Sequence, residues 1–173
     1  MHPTRRATLA GLAAGAVATP AAAAPARLDR LRLVTLRTPE GATTTLGAAL
    51  TPGRAAVVAF WATWCAPCLT EAQRLNAIRE RAGRNRLDVV GLNIDRAPEE
   101  AKIAAFLARS GATFTQLRAD AAAWRAFGNG RTVSLPRVYV FAADGRDLYG
   151  FNRLLPGVSD AAVDRAIAQA LDG

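Results

Sequence analysis

The sequence has little of the chemistry on which most metal and acid–base sites depend. Its 173 residues include one histidine, one methionine and two cysteines. The histidine is His2 and the methionine is Met1, so neither residue type occurs in the rest of the chain. No histidine therefore remains for a catalytic triad or for ligating haem, and a four-ligand zinc site within one chain is disfavoured.

Lysine is also nearly absent, because Lys102 is the only one, and arginine carries the positive charge. The chain has 22 basic and 14 acidic residues, which gives a formal net charge of +8. Basic and acidic residues alternate along the sequence, as in residues 79–81, and do not form a basic run. This pattern indicates a mixed, solvated surface and argues against a nucleic-acid partner, while a mild attraction to anionic partners stays open.

The chain contains no run of about 20 strongly apolar residues, the length that a membrane-spanning helix needs. Its first 26 residues combine paired arginines, Arg5 and Arg6, with an uncharged stretch at 7–19 and small residues at 24–26. We interpret residues 1–26 as an export signal of the twin-arginine kind, with an ordinary secretory signal as the alternative. Residues 27–173 are then one extracytoplasmic, periplasmic domain, anchored to the membrane only if the signal is retained.

Strand-like and helix-like segments alternate along this domain, which predicts a layered α/β fold. Residues 31–36 and 43–46 are expected to form a short edge hairpin, and residues 55–60 a strand buried on both faces. Further strands are predicted at residues 87–95, 114–117, 136–141 and 148–151, and helices from Cys68 to Gly83, at 98–111, at 121–127 and after a capping Ser159.

Both cysteines lie in one CxxC motif, Cys65 and Cys68, between the apolar strand and the following helix. A helix N-terminus favours a thiolate, so Cys65 is the predicted nucleophile, and Cys68 lies one turn further on the same face. Pro67 fits the first turn, where its missing N–H is not needed. A purely structural disulfide is the weaker interpretation, because so short a loop constrains the unfolded chain little. We expect a redox-active disulfide and no other cofactor or metal.

The segment 60–68, which reads FWATWCAPC, resembles the active-site segment of thioredoxin-fold proteins of the TlpA/ResA/CcmG type. The resemblance implies a three-layer thioredoxin-like α/β fold with a central mixed sheet. It also assigns residues 89–95 and the helix that ends at 111 to an extra strand–helix insertion. By resemblance Cys65 is the exposed nucleophile and Cys68 the buried resolving thiol, and Trp64 packs beside the site, unless it is an ordinary core aromatic.

The resemblance also implies further site residues. Pro136 corresponds to a cis-proline that faces the CxxC motif, so the backbone of Leu135 is expected to pair with a bound partner strand. Glu71 corresponds to an acid that exchanges protons with the buried thiol, or else it is a first-turn acid favoured by the helix dipole. The predicted substrate-binding residues are Trp64, Ala66, Pro67 and Leu135.

Three positions depart from the family pattern. Ala59 stands where thioredoxin has a buried aspartate, and Gln73 stands where relatives have a helix proline. Residues 128–134, which border the expected partner surface, form a longer loop than usual. No particular relative's substrate is therefore carried over to this chain.

The sequence predicts a thiol:disulfide oxidoreductase that reduces disulfides of exported proteins, with cytochrome c maturation as one outlet. A membrane thiol oxidoreductase is the implied electron donor. Two alternatives use the same two thiols: an oxidase or isomerase that donates the disulfide, and a Cu(I)-binding chaperone. The oligomeric state is not indicated.

Overall fold

The computed structural model describes residues 26–96, 99–150 and 160–173. Most of the predicted export signal, together with Pro98, Phe151 and Ser159, lies outside the described residues. The helices are α1 (Arg27–Leu31), α2 (Ala66–Ala82), α3 (Glu100–Ser110), α4 (Ala121–Ala126) and α5 (Asp160–Asp172). The strands are β1 (Thr35–Arg37), β2 (Thr43–Thr45), β3 (Ala55–Trp61), β4 (Leu87–Asn93), β5 (Thr115–Arg118), β6 (Arg137–Phe141) and β7 (Asp147–Tyr149).

The strands form one sheet in the order β2-β1-β5-β4-β3-β6-β7. The three strands β3, β4 and β5 run parallel, while β6 lies antiparallel to β3 on the other side. The predicted edge hairpin is present, because β1 and β2 pair antiparallel and β2 lies at the sheet edge. The sheet is therefore mixed, as the resemblance implied.

Strand β3 lies at the centre of the molecule and all seven of its residues are buried. Because successive strand residues point to opposite faces, Val58 and Phe60 pack with α1 and α4 on one side. Val57 and Ala59 pack with α2 and α5 on the other side. The helices on both faces complete three layers, which confirms the thioredoxin-like α/β architecture.

The prediction for the start of the domain was wrong. Residues 27–31 form helix α1, and the first strand begins at Thr35, four residues later than predicted. Leu28 and Leu31, three residues apart and so on one helix face, are only 2% and 4% exposed. Because both leucines are buried in the core, this segment forms a helical turn, and the predicted strand starts only after it.

Glycine in the middle of β4 permits a contact behind the active site. Gly91 pairs with Gln116 in the parallel register of β4 and β5, and a Cβ at Gly91 would overlap Gln116 Oε1. That oxygen accepts a hydrogen bond from Trp61 Nε1 at 3.0 Å. Because Gly91 has no side chain, Gln116 has room to accept the hydrogen bond that holds Trp61 at the end of β3.

Among the helices of the described residues, none has the length and apolar character to cross a membrane.

Candidate active site

Cys65 and Cys68 form a disulfide at the junction between β3 and α2. Strand β3 ends at Trp61, Cys65 is the N-cap of α2, and Cys68 lies in the first helical turn. The Cys68 N–H donates to the Cys65 carbonyl oxygen at 3.1 Å. The cysteine pair therefore lies at the positive end of a 17-residue helix, where a thiolate is favoured when the bond is reduced.

Cys65 is buried, so the exposure that the family resemblance implied for it is wrong. Cys68 is 1% exposed, as expected for a buried thiol, but Cys65 is only 5% exposed. The two cysteines belong to an apolar cluster with Trp61 and Phe106, against which Leu135 packs. Both residues of the pair are therefore buried among these neighbours, and Cys65 is the slightly more exposed of the two.

The residues between the sulfurs and the preceding tryptophan present the exposed rim of the site. Ala66 and Pro67 are exposed, and Trp64 is 65% exposed, so the interpretation of Trp64 as a core aromatic is wrong. The core aromatic is Trp61, whose ring stacks on Phe106 with centroids 4.3 Å apart. An apolar side chain exposed beside a buried disulfide offers contact area to a partner.

Pro136 follows a cis peptide bond from Leu135, which confirms the predicted isomer. Both residues lie directly before β6, and both are partly buried. Pro136 borders a small cavity of 10 Å³ that Cys68 and Glu71 also line. The structure thus brings Cys68, Glu71 and Pro136 together, while pairing of the Leu135 backbone with a partner stays a prediction.

Glu71 lies in the second turn of α2, so its interpretation as a first-turn acid is wrong. It is 5% exposed, and it accepts two hydrogen bonds from Arg74, from Nη2 at 2.7 Å and from Nε at 3.0 Å. Burial raises the pKa of Glu71 above its ordinary value, and the Arg74 guanidinium opposes that rise. The result is a titratable carboxyl group that borders the same cavity as the buried thiol.

Arg74 links this carboxyl group to the C-terminal helix. Its Nη1 donates to Asp164, and its Nε lies 4.0 Å from Asp160, both on α5. Burial acts to lower the pKa of Arg74, but the hydrogen bonds that Arg74 donates to Glu71 keep that pKa above its ordinary value. The sequence analysis missed Arg74, and the i,i+3 spacing from Glu71 was the only sign of the pair.

Asp95 fixes the loop that leads into the motif. Its carboxylate accepts hydrogen bonds from the Thr63 N–H, at 3.0 and 3.3 Å, and from Asn93 Nδ2 at 2.8 Å. Thr63 is two residues before Cys65, so Asp95 holds the end of β4 to the active-site loop. The sequence analysis did not single out Asp95, because a loop aspartate two residues after a strand has no distinctive pattern.

The two substitutions in the family pattern have visible consequences. Ala59 lines the cavity beside Cys68, and Glu71 is the one acid among the described residues that line it. Gln73 Nε2 donates to the Arg109 carbonyl oxygen at 3.2 Å, which ties α2 to the end of α3.

Among the described residues, no three His, Cys, Asp or Glu side chains lie close enough together to bind a metal ion.

The redoxin family profile matches residues 19–165, which is most of the chain. Among curated proteins, the thiol:disulfide interchange protein HelX of Rhodobacter capsulatus is 35% identical over 71 residues, covering 41% of this chain and 37% of HelX. The thioredoxin of Streptomyces clavuligerus is 47% identical over 45 residues, or 26% of this chain and 40% of that protein. The chain thus aligns with less than half the length of these curated relatives.

Solved structures share the fold. A secreted Mycobacterium tuberculosis disulfide oxidoreductase homologous to E. coli DsbE has a TM-score of 0.61 at 23% identity, over 81% of this chain and 98% of that chain. A thioredoxin-family thiol:disulfide interchange protein from Chlorobium tepidum has a TM-score of 0.65 at 22% identity, over 87% and 99%. The match to HelX supports the resemblance to the TlpA/ResA/CcmG group, and the chain belongs to the redoxin family.

Proposed function

We propose that this protein is an extracytoplasmic thiol:disulfide oxidoreductase that reduces disulfides of exported proteins. One observation carries the proposal: the Cys65–Cys68 disulfide lies at the N-terminus of α2 and next to the cis-proline Pro136. The helix end favours a thiolate, the first turn brings the second sulfur within reach, and the proline segment offers a wall for docking.

The reaction consists of two exchanges of sulfur bonds. In the reduced protein the Cys65 thiolate attacks one sulfur of the partner's disulfide, and the partner's other sulfur leaves as a thiolate and takes up a proton. The Cys68 thiolate, formed by loss of its proton, then attacks the Cys65 sulfur and releases the partner's second thiolate, which is protonated. The partner gains two electrons and two protons, and the protein is left with the Cys65–Cys68 disulfide.

Glu71 is the proposed proton acceptor for Cys68. The two residues border one cavity, and burial raises the pKa of the Glu71 carboxyl group, which favours its holding and returning a proton. Exposed Trp64, Ala66 and Pro67 and the Leu135 backbone are the proposed contacts for the partner chain. The low exposure of Cys65 requires that the partner disulfide enter the site and not merely touch its rim.

A dithiol donor must reduce the Cys65–Cys68 disulfide after each cycle, and a membrane thiol oxidoreductase is the proposed donor. Similarity to a thiol:disulfide interchange protein supports thiol exchange, and similarity to a secreted disulfide oxidoreductase supports a location outside the cytoplasm. Reduction of apocytochrome disulfides to thiols for cytochrome c maturation is one proposed outlet.

The test is to trap partners in vivo with the variant Cys68→Ala, which leaves Cys65 able to attack but unable to be released. The expected result is a set of mixed disulfides with exported, cysteine-containing proteins. The matched control, Cys65→Ala with Cys68→Ala, should trap none. Absence of mixed disulfides, together with tight stoichiometric Cu(I) binding and no disulfide turnover, would instead favour a copper chaperone.

A further inference from the structure

An open groove of 740 Å³ lies beside the active site, and arginines dominate its charge. It is bordered by β1, by residues 94–96 after β4, by the end of β5, by α4 and by the loop 128–134. We call it the arginine groove. Its charged lining residues are five arginines and two aspartates: Arg37, Arg96, Arg118, Arg125, Arg131, Asp95 and Asp120.

The positive charge of the groove is only partly neutralised by the protein itself. Arg118 pairs with Glu100 at 2.7 Å, but within the described residues Arg125 and Arg131 form no ion pair and both are exposed. Both aspartates already accept hydrogen bonds from the backbone. Asp95 accepts from Thr63, and Asp120 caps α4 by accepting from the N–H groups of residues 122 and 123. The groove is therefore short of anionic partners.

The groove is continuous with the cysteine site. Ile94 lines the groove and also packs against the apolar cluster that contains both cysteines. At the other side Val133, which lines the groove and is 43% exposed, lies two residues before Leu135. A polypeptide whose disulfide reaches Cys65 between Trp64 and Pro136 can thus extend its neighbouring residues along the groove.

The lining suits a peptide better than a nucleic acid. Single-stranded nucleic acids are held by exposed aromatic rings on which bases stack. The aromatic residue among the described lining residues, Trp124, is only 6% exposed, and its Nε1 donates to the Gly130 carbonyl oxygen at 2.8 Å. Val133 and Ala121, which are both exposed, add apolar surface between the arginines. Carboxylate side chains on an extended backbone match this combination of cationic rim and apolar floor.

We propose that the arginine groove binds an acidic segment of the partner protein, adjacent in the partner's chain to the disulfide that Cys65 attacks. This inference rests on the proposed function for the identity of the partner, and the groove selects among disulfides by the charge of their surroundings. The loop 128–134 supplies Arg131 and Val133 to that selection.

The binding test uses the full chain and two labelled, cysteine-free peptides of equal length, one with glutamates flanking a central serine and one with glutamines. By fluorescence anisotropy the acidic peptide should bind about tenfold more tightly, since several rim charges each contribute a small factor. The double variant R125Q/R131Q should weaken acidic-peptide binding about three- to tenfold. The control R81Q/R165Q removes the same charge from exposed positions on α2 and α5 and should change it less than about twofold.

A kinetic arm separates this inference from the proposed function. The same two flanking sequences are placed around a disulfide, and the ratio of kcat/KM for the acidic and neutral substrates is measured. The ratio should fall in R125Q/R131Q and be retained in R81Q/R165Q. Equal binding of the two peptides, or tighter binding of a single-stranded oligonucleotide, would overturn the groove assignment even if both substrates are reduced. Charge-selective binding without reduction of either substrate would support the groove and overturn the oxidoreductase.

Discussion

Arginine has opposite surroundings on the two sides of the cysteine pair. On the interior side, Arg74 has a side chain that is 18% exposed and is held by three carboxylates, those of Glu71, Asp160 and Asp164. On the open side, Arg125 and Arg131 of the arginine groove are exposed and have no ion-pair partner among the described residues. Arginine is thus paired with carboxylates at Arg74, whereas at Arg125 and Arg131 no carboxylate of the described residues pairs with its charge.

The two sides of the cysteine pair are expected to affect different steps: the interior side affects proton transfer at Cys68, and the groove affects the choice of partner. In the interior, charges interact through a low effective dielectric, so the Glu71–Arg74 pair can set the proton affinity next to Cys68. In the groove, water and salt screen each charge, and its contribution to affinity is small and additive. We therefore expect changes on the interior side to alter stability and pH dependence, and changes in the groove to alter the choice of partner.

Removal of the nucleophile separates the two regions most completely. Cys65→Ser should lower disulfide reduction by more than about a thousandfold, because the remaining thiol, Cys68, is only 1% exposed and cannot reach a partner's disulfide to start the exchange. Binding of the acidic peptide should persist, since the groove arginines are unchanged. A peptide-substrate assay measures turnover, and fluorescence anisotropy measures binding of the acidic peptide. Loss of binding together with loss of turnover would show that the active site and the groove are not independent.

Removal of Arg74 should break the interior network. Arg74→Met leaves the Glu71 carboxylate buried without its cation, and we expect a loss of about 3 kcal/mol in the free energy of unfolding by urea denaturation. Adding Glu71→Gln in the same chain removes the unpaired charge and should restore much of that loss. A double variant no more stable than Arg74→Met would mean that packing of the arginine, and not its charge, holds α2 to α5.

The titration of Glu71 gives a second test of the interior side, through the pH dependence of stability and of disulfide reduction. Because burial raises its folded pKa, the folded state holds the Glu71 proton to higher pH than the unfolded chain does. Stability contributed by this proton is present below the unfolded pKa and is lost as pH rises through the folded pKa, with a slope of at most about 1.4 kcal/mol per pH unit. Glu71→Gln should lack that part of the pH dependence in thermal melts. It should also shift the pH profile of disulfide reduction, and an unchanged profile would remove Glu71 from the proton transfer.

Salt is expected to have the smallest effect and only in the groove. Raising the ionic strength from about 0.05 M to about 0.5 M should weaken acidic-peptide binding several-fold, because exposed charges are screened within a few ångströms. Reduction of the neutral disulfide peptide should change less than about twofold over the same range. Equal salt sensitivity of the acidic and neutral peptides would show that the groove charges do not distinguish them.

Local patterns predicted most of the fold. Buried strand β3, the CxxC motif at the start of α2 and the final helix follow from apolar runs and helical spacing, and the cis bond before Pro136 followed from the family resemblance. Helix α1 was missed because five residues carry too weak a helical pattern. Its geometry depends on where Leu28 and Leu31 meet the core.

The parts of the site that depend on distant contacts were not predictable. The arginine groove draws side chains from β1, from residues 94–96 after β4, from β5, from α4 and from the loop 128–134, and no spacing along the chain marks them as neighbours. The limited exposure of Cys65 likewise depends on Phe106 and Leu135, which come from α3 and from the segment before β6. The partners of Arg74 on α5 lie about 90 positions away in the chain.

The most direct test of the central claim is the covalent stoichiometry of reduced Cys68→Ala with a disulfide-containing peptide, measured under native conditions by intact-protein mass spectrometry and peptide mapping. For a peptide made of two halves joined by a disulfide, the account predicts one half per chain, attached through a disulfide at Cys65. The other half is released as a thiol. No adduct under native conditions, with an adduct forming only after unfolding, would contradict it, because Cys65 would then be a buried structural cysteine and not a nucleophile.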